Sequence, residues 1–323
     1  MVILTRPARR AQRDADAGLC LLGVLPAGAH ARILPEMTEH PPDTLPRALA
    51  RARPGETVTL APGLYSGQVG VIDQPGLTLT SPGPGAVLHA DGRHVEGKGI
   101  LVVRAPAVRI ENVEFRGARV PAGNGAGIRF EAGTLALARC RFFDNEMGLL
   151  SAGRPEMQLL VDDCDFGDAP RHDSGLLHHL LYAGAIGLCV VTRSRFGNGW
   201  QGHLLKSRAF VNRILWNELV DGPGGEASYE LEFPEGGDNL VLGNRIEQSA
   251  RTRNPAMLSM GAEAGGRRGG QLVLRGNRFA NHHPGTSEAP ARFVHLWPER
   301  LAGSLEVIDE DNAFEGPGII GLP

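Results

Sequence analysis

A short pattern that recurs through most of the chain constrains the fold more than any other feature of the sequence. Each copy has an apolar residue, two variable residues, a small or polar residue, one variable residue and a large apolar residue. The copies end at Phe115, Phe142, Phe166, Phe196, Leu219, Ile246, Phe279 and, more loosely, Phe314. Subtracting successive positions gives spacings of 27, 24, 30, 23, 27, 33 and 35 residues. The chain is therefore built from repeats.

Repeats of this length, made of short strand-like segments with no helix between them, are typical of solenoids in which each repeat forms one coil of parallel strands. The 323 residues include 44 Gly and 23 Pro but only 5% aromatic residues, which suits tight turns and thin packing layers. We therefore predict an all-β fold, a single-stranded right-handed parallel β-helix that spans residues 32–323.

The N-terminal residues have the features of an export signal. Several arginines precede an apolar run from Gly18 to Ala27, and Ala29-His30-Ala31 has the small-x-small form of a cleavage site. Residues 1–31 are therefore predicted to be a leader, and the protein is predicted to be periplasmic or secreted.

One amphipathic helix is predicted, from Thr44 to Ala52, with Thr44 as its cap and Pro46 in its first turn. The open end of a stack of strands exposes apolar core and unpaired backbone groups. We expect this helix to cover that end.

The helix, the strand-and-turn run from Pro54 to Tyr65 that follows it, and the repeats together resemble the right-handed parallel β-helix proteins of the pectate-lyase-like superfamily. The resemblance extends from Thr44 to the C-terminus. It implies the same fold as the repeat pattern does.

One position of the repeat is Asn in four consecutive coils. These residues are Asn217, Asn244, Asn277 and Asn312. Side-chain amides stacked about 4.8 Å apart can bond one another in a ladder. We predict a structural role for this position, in which earlier coils have Cys140 and Cys164.

Polar residues are predicted to gather on one strand position in the middle of the chain. The predicted column is Phe130, Ser151, Tyr182, Lys206, Glu232 and Ser259. Since side chains alternate along a strand, Lys206 and Arg208 share one face, while Leu205 stacks with other leucines in the core. His179, His203, Tyr229 and Glu230 belong to the same three coils. We therefore predict a binding surface in which these four residues and Glu232 contact the substrate.

The run from Lys206 to Asn217 is also similar to the central coil of the alginate-lyase and chondroitin-lyase branch of parallel β-helix polysaccharide lyases. The resemblance implies that Lys206 is the base that removes a proton beside a uronate carboxylate. A lyase also needs a cation to neutralise that carboxylate and a donor for the departing oxygen. Arg208 and Tyr182 are the candidates for these two roles.

Other interpretations of the same residues stay open. Lys206 and Glu232 can form a simple solvated ion pair. Glu230 and Glu232, two residues apart, can serve as the carboxylate pair of a glycoside hydrolase or as calcium ligands. A β-helix that binds a glycan without cleaving it is the third alternative.

Composition limits the partners. A net charge of −3 and a pI near 6.4 give no basic field for nucleic acid, and no apolar stretch is long enough to span a membrane. The four cysteines lack metal-binding spacing. We expect a monomer that acts on an acidic polysaccharide, with calcium as the one candidate cofactor.

Overall fold

The computed structural model describes residues 2–5, 37–83, 85–266 and 268–321. Nearly all regular structure consists of strands, which are numbered in chain order and form three parallel sheets. From β2 onward, successive strands belong to different sheets, so the chain passes once through each sheet in every coil. The predicted parallel β-helix is confirmed. Of the predicted leader, residues 1–31, the structure describes only Val2–Thr5, and the rest lies outside the described residues.

The sheets contain eleven, ten and ten strands. Sheet 1 contains β1 Val2–Thr5, β2 Thr57–Thr59, β5 Thr78–Thr80, β8 Val108–Glu111, β11 Thr134–Ala138, β14 Gln158–Asp162, β17 Leu188–Thr192, β20 Val211–Leu215, β23 Gly237–Leu242, β26 Gly270–Arg275 and β29 Leu305–Glu310. Sheet 2 contains β3 Gly63–Ser66, β6 Ala86–His89, β9 Val113–Arg116, β12 Arg141–Phe143, β15 Asp165–Gly167, β18 Arg195–Gly197, β21 Glu218–Val220, β24 Arg245–Gln248, β27 Arg278–Asn281 and β30 Ala313–Glu315. Sheet 3 contains β4 Gly70–Ile72, β7 Gly99–Val103, β10 Ala126–Phe130, β13 Met147–Ser151, β16 Leu181–Ala183, β19 Leu205–Ser207, β22 Leu231–Phe233, β25 Ala256–Met260, β28 Arg292–Leu296 and β31 Ile319–Gly321.

The predicted helix is α1, Thr44–Arg51, and it packs against β4 through its buried residues Leu45 and Leu49. The approach is close, because a Cβ on Gly70 would lie 2.6 Å from Leu49 Cδ1 and the leucine side chain would have to shift. Thr44 does not cap the helix as predicted. It is the first helical residue, and its hydroxyl donates to Pro41 O. A short 3₁₀ helix, Pro298–Arg300, lies near the other end of the chain.

The Asn ladder is confirmed. Asn244 Oδ1 accepts hydrogen bonds from the backbone N and the Nδ2 of Asn217, and Asn244 donates in the same way to Asn277. Each Nδ2 also donates to a backbone carbonyl, as Asn244 does to Ile214 O at 2.8 Å. Because Asn244 is 1% exposed, these bonds satisfy polar groups that water does not reach.

In the interior, equivalent apolar side chains of successive coils stack in rows, as the repeat pattern predicts. In sheet 3 the inward row includes Leu181, Leu205, Leu231 and Leu258, which are neighbours in the strand register and fully buried. In sheet 2, Phe115, Phe142, Phe166 and Phe196 stack with ring centroids 4.5–5.0 Å apart.

Candidate functional site

The candidate site lies on the outer face of sheet 3, where β16, β19 and β22 run side by side. Tyr182, Lys206 and Glu232 are register partners there, and Ser259 of β25 follows them. This part of the predicted column is confirmed. The earlier part is wrong by one residue, because Tyr182 pairs with Leu150 and not with Ser151, and Leu150 pairs in turn with Arg129.

Lys206 is far more buried than a residue on an outer strand face is expected to be, with 6% of its surface exposed. Its Nζ lies 3.0 Å from Glu232 Oε2 and 2.7 Å from Glu263 Oε1. Burial alone would lower the pKa of Lys206, but the charges of Glu232 and Glu263 outweigh burial and hold this pKa above its ordinary value. Lys206 is therefore held as a cation. This opposes its predicted role as a base, because a base must be unprotonated.

Arg208 lies two residues after Lys206 on the same face, and each of its three guanidinium nitrogens contacts a side-chain oxygen. Its Nε donates to Tyr182 Oη at 2.7 Å, and its Nη1 donates to Glu235 Oε1 at 2.8 Å. The remaining Nη2 reaches Glu263. The guanidinium thus holds the Tyr182 oxygen as an acceptor, which leaves the phenolic proton free to be donated elsewhere.

Glu232 is the most buried of the three carboxylates that contact Lys206 or Arg208, with 2% exposure. Its Oε2 lies 2.9 Å from His203 Nε2 and 3.0 Å from Lys206 Nζ. Burial would raise the pKa of Glu232, but His203 and Lys206 together lower it below the ordinary value. Glu232 is therefore an ionised carboxylate next to a fixed cation.

His179, His203 and Tyr229 form a ladder beside this row. His179 Nδ1 accepts from His203 N at 2.8 Å, and His203 Nδ1 accepts from Tyr229 N at 3.3 Å. Both histidines are 5% exposed. Burial lowers the pKa of His179 well below its ordinary value, with a further contribution from the charge of His203. The sequence grouped these residues correctly, and their predicted contact with substrate stays a prediction.

The sequence predicts that Glu230 belongs to the binding surface with Lys206. In the structure, Glu230 does not share the outer face of sheet 3 with Lys206. It precedes β22, at the corner where the chain arrives from sheet 2, and it occupies the position that Leu204 holds one coil earlier. It is 0% exposed, and neither of its carboxylate oxygens has a hydrogen-bond partner. Burial raises its pKa well above the ordinary value, and the nearby charge of Asp221 adds to this effect. Burial therefore favours the protonated form of Glu230.

Glu230 and Glu232 thus belong to different environments, which separates the two proposed calcium ligands. No cluster of three or more His, Cys, Asp or Glu side chains suited to a metal ion occurs among the residues that the structure describes. A calcium requirement has no geometric support at this pair.

Sequence reasoning missed two carboxylates that contact the cations. Glu235 lies just after β22, and Glu263 lies in the loop after β25. Composition held a usable signal for the site itself, because the chain has 33 Lys and Arg in total and only Lys98 and Lys206 are lysines. A chain that uses Arg almost everywhere else has Lys at position 206, the one nearly buried cation among the residues that the structure describes.

Within the described ranges, no helix is long and apolar enough to cross a membrane.

Comparisons with known proteins identify no family. Neither a scan against protein-family models nor a search of curated proteins finds a match. Among solved structures, the tailspike protein gp49 from Acinetobacter baumannii bacteriophage Fri1, a capsular polysaccharide depolymerase, aligns with a TM-score of 0.45 and 12% identity over 83% of this chain and 57% of its own. ORF18 of Geobacillus virus E2 aligns with a TM-score of 0.41 and 11% identity over 80% of this chain and 54% of its own. This chain spans little more than half the length of either protein. The pectate-lyase-like assignment stays a prediction.

Proposed function

We propose that the protein binds an acidic polysaccharide along the outer row of sheet 3 and cleaves it by β-elimination beside Lys206. The observation that carries the proposal is a pair of cations, Lys206 of β19 and Arg208 just after this strand, held on the outer face next to the phenol of Tyr182. Cations placed before the reaction begins stabilise the charge that develops on a uronate carboxylate when the adjacent carbon loses its proton.

The chemistry divides among four side chains. Lys206 and Arg208 hold the substrate carboxylate. A base removes the proton from the adjacent carbon, and the electron pair of that C–H bond forms a carbon–carbon double bond and expels the glycosidic oxygen. Tyr182 donates its proton to the departing oxygen, since its own oxygen already accepts from Arg208 Nε at 2.7 Å.

Glu232 is the better candidate for the base. The raised pKa of Lys206 keeps it protonated, whereas the lowered pKa of Glu232 keeps its carboxylate ionised. His203 is less suited, because its Nδ1 accepts from Tyr229 N and its Nε2 faces Glu232. Glu232 therefore takes the proton-abstracting role that the lyase resemblance implied for Lys206.

A glycoside hydrolase has less support at this site. That reaction needs one protonated carboxyl group to act as the acid and one ionised partner. Glu232 and Glu263 both have pKa values held below the ordinary range by Lys206. The raised pKa of Glu230 favours the protonated form, but this residue is fully buried.

Binding without cleavage is a second candidate, because the Lys206 side chain is only 7% exposed and is already ion-paired. One experiment separates the candidates. Alginate, polygalacturonate and hyaluronan are incubated with the protein, with dextran as the neutral control, and both binding and the ultraviolet absorbance of an unsaturated uronate are followed. Absorbance that rises with the wild type but not with Glu232→Gln supports the lyase. Binding with no absorbance supports the second candidate, and no binding to any of the three contradicts both. Secretion and the monomeric state stay predictions.

A further inference from the structure

Lys206 and Arg208 share one carboxylate that arrives from a distant part of the chain. Glu263 Oε1 accepts from Lys206 Nζ at 2.7 Å, and the other oxygen, Oε2, faces Arg208 Nη2. Glu263 is 57 residues from Lys206 in sequence and belongs to the loop that follows β25, two coils along the solenoid. Each oxygen of one carboxylate thus faces its own cation, an arrangement typical of strong carboxylate recognition.

We propose that Glu263 occupies the carboxylate subsite of the protein and leaves it when the carboxylate of an acidic sugar binds. The inference rests on the proposed function, and it adds the residue that competes with the substrate. A uronate carboxylate has the same shape and charge as the Glu263 side chain. It can accept from the same two cations without any change in their positions.

Charge balance supports the exchange. The cations of the site are Lys206, Arg208 and Arg268, of which Arg268 lies 3.5 Å from Glu235. Glu232 and Glu235 supply two negative charges without Glu263. When Glu263 leaves, these five groups have one uncompensated positive charge, which one uronate carboxylate neutralises. Glu263 is thus the carboxylate whose departure matches the charge of a single sugar residue.

Exposure identifies Glu263 as the group that can move. Its side chain is 44% exposed, whereas those of Lys206 and Glu232 are 7% and 3% exposed. The backbone around it is held, because Glu263 N donates to Pro234 O at 2.8 Å and Ala264 is 2% exposed. The exchange is therefore a rotation of one side chain toward solvent, with the loop remaining in place.

The two lysines of the chain make a direct test. An acylating reagent that modifies amines labels Lys98 and Lys206, and the labelled peptides are quantified by mass spectrometry. Lys98, with 32% side-chain exposure, is the internal reference. In the wild type, Lys206 should react slowly. In Glu263→Ala, its rate should rise roughly tenfold or more, because the amine loses a charged hydrogen-bond partner and its cover.

Acetate then tests whether the vacated position is a carboxylate subsite. In Glu263→Ala, acetate should slow the labelling of Lys206, whereas chloride at the same ionic strength should not. The matched control is Glu235→Ala, because Glu235 contacts Arg208 and Arg268 but not Lys206. Its Lys206 should be labelled at close to the wild-type rate. Glu263→Gln, which keeps the side-chain volume, repeats the experiment if the Ala variant is less stable.

Unchanged labelling of Lys206 in both Glu263 variants, or equal effects of acetate and chloride, would overturn the proposal. A second readout uses whichever uronate polymer the wild type binds. Glu263→Gln should bind that polymer roughly tenfold more tightly, because the internal competitor has lost its charge, and tighter binding by less than twofold counts against the exchange. If no acidic polymer binds either protein while acetate still protects Lys206, the subsite stands and the proposed function fails.

Discussion

Glu230 occupies the same buried position as Leu204 of the preceding coil, and both residues are 0% exposed. The Glu230 oxygens have no hydrogen-bond partner in another residue, so at most the backbone of Glu230 itself offsets part of the desolvation of the carboxyl group. Burying an unpaired polar group costs free energy. At this position, glutamate therefore stabilises the fold less than leucine would.

Replacing Glu230 with leucine should stabilise the protein. We expect the free energy of unfolding to rise by about 1–3 kcal/mol, the usual cost of a buried polar group without a partner. Urea denaturation at constant pH measures it. Glu230→Gln is the matched control below about pH 4, where the Glu230 carboxyl group is protonated in both the folded and the unfolded chain, since it keeps a buried polar group and should gain little there. A less stable Leu variant would mean that Glu230 has a partner or a strained cavity around it.

The same residue predicts a pH dependence of stability. Burial raises the pKa of Glu230 well above its ordinary value and raises the pKa of Asp221 to about 6. Between the ordinary values and these raised values, the folded chain holds protons that the unfolded chain has lost, so stability falls as pH rises. For Asp221 this interval runs from 3.8 to about 6. Glu230→Gln removes the contribution of Glu230, so its advantage over the wild type should grow as pH increases above about 4. A constant difference at all pH values would contradict the assigned protonation.

The Asn ladder predicts a large loss of stability at its centre. Asn244→Leu leaves the Ile214 carbonyl and the Asn217 amide groups without their partners. We expect the free energy of unfolding to fall by at least about 2 kcal/mol. Asn312→Leu should cost less, because Asn312 ends the ladder and is partly exposed. Equal losses of unfolding free energy in the two variants would contradict a stabilising role of the buried ladder hydrogen bonds.

Activity should separate the roles of Lys206 and Glu232. Lys206→Arg keeps a cation and should retain measurable cleavage, whereas Lys206→Met should lose it. Glu232→Gln should lower turnover by about 10² or more, the usual effect of removing a general base. Initial rates on a uronate polymer that the wild type cleaves measure all three. If Lys206→Arg is as inactive as Glu232→Gln while binding is unchanged, Lys206 itself is the base.

The phenol of Tyr182 should be required for turnover more than for binding. Tyr182→Phe removes the proton that we assign to the departing oxygen, so kcat should fall by about 10² while the affinity for the polymer changes little. Tyr65→Phe is the control, because Tyr65 is buried in β3 of sheet 2, outside the candidate site, and its hydroxyl donates to Ala61 O. A Tyr182→Phe enzyme with normal kcat would exclude Tyr182 as the acid.

Much of this arrangement follows from the sequence because the fold is periodic. Parallel coils in register place equivalent positions side by side. The Asn ladder, the inward leucines of sheet 3 and the outer row of Tyr182, Lys206 and Glu232 could therefore be predicted from spacing alone. The error at Ser151 has the same origin, because a shift of one residue in the alignment moves a side chain to the opposite face.

The tertiary structure decided what spacing does not encode. Glu230 points inward because it lies at a corner between two sheets, where the strand alternation of side chains does not apply. Glu263 reaches Lys206 from two coils away through a loop and a long side chain, neither of which repeats. The raised pKa of Lys206 depends on carboxylates that come from different coils, so this shift arises only once those coils are stacked.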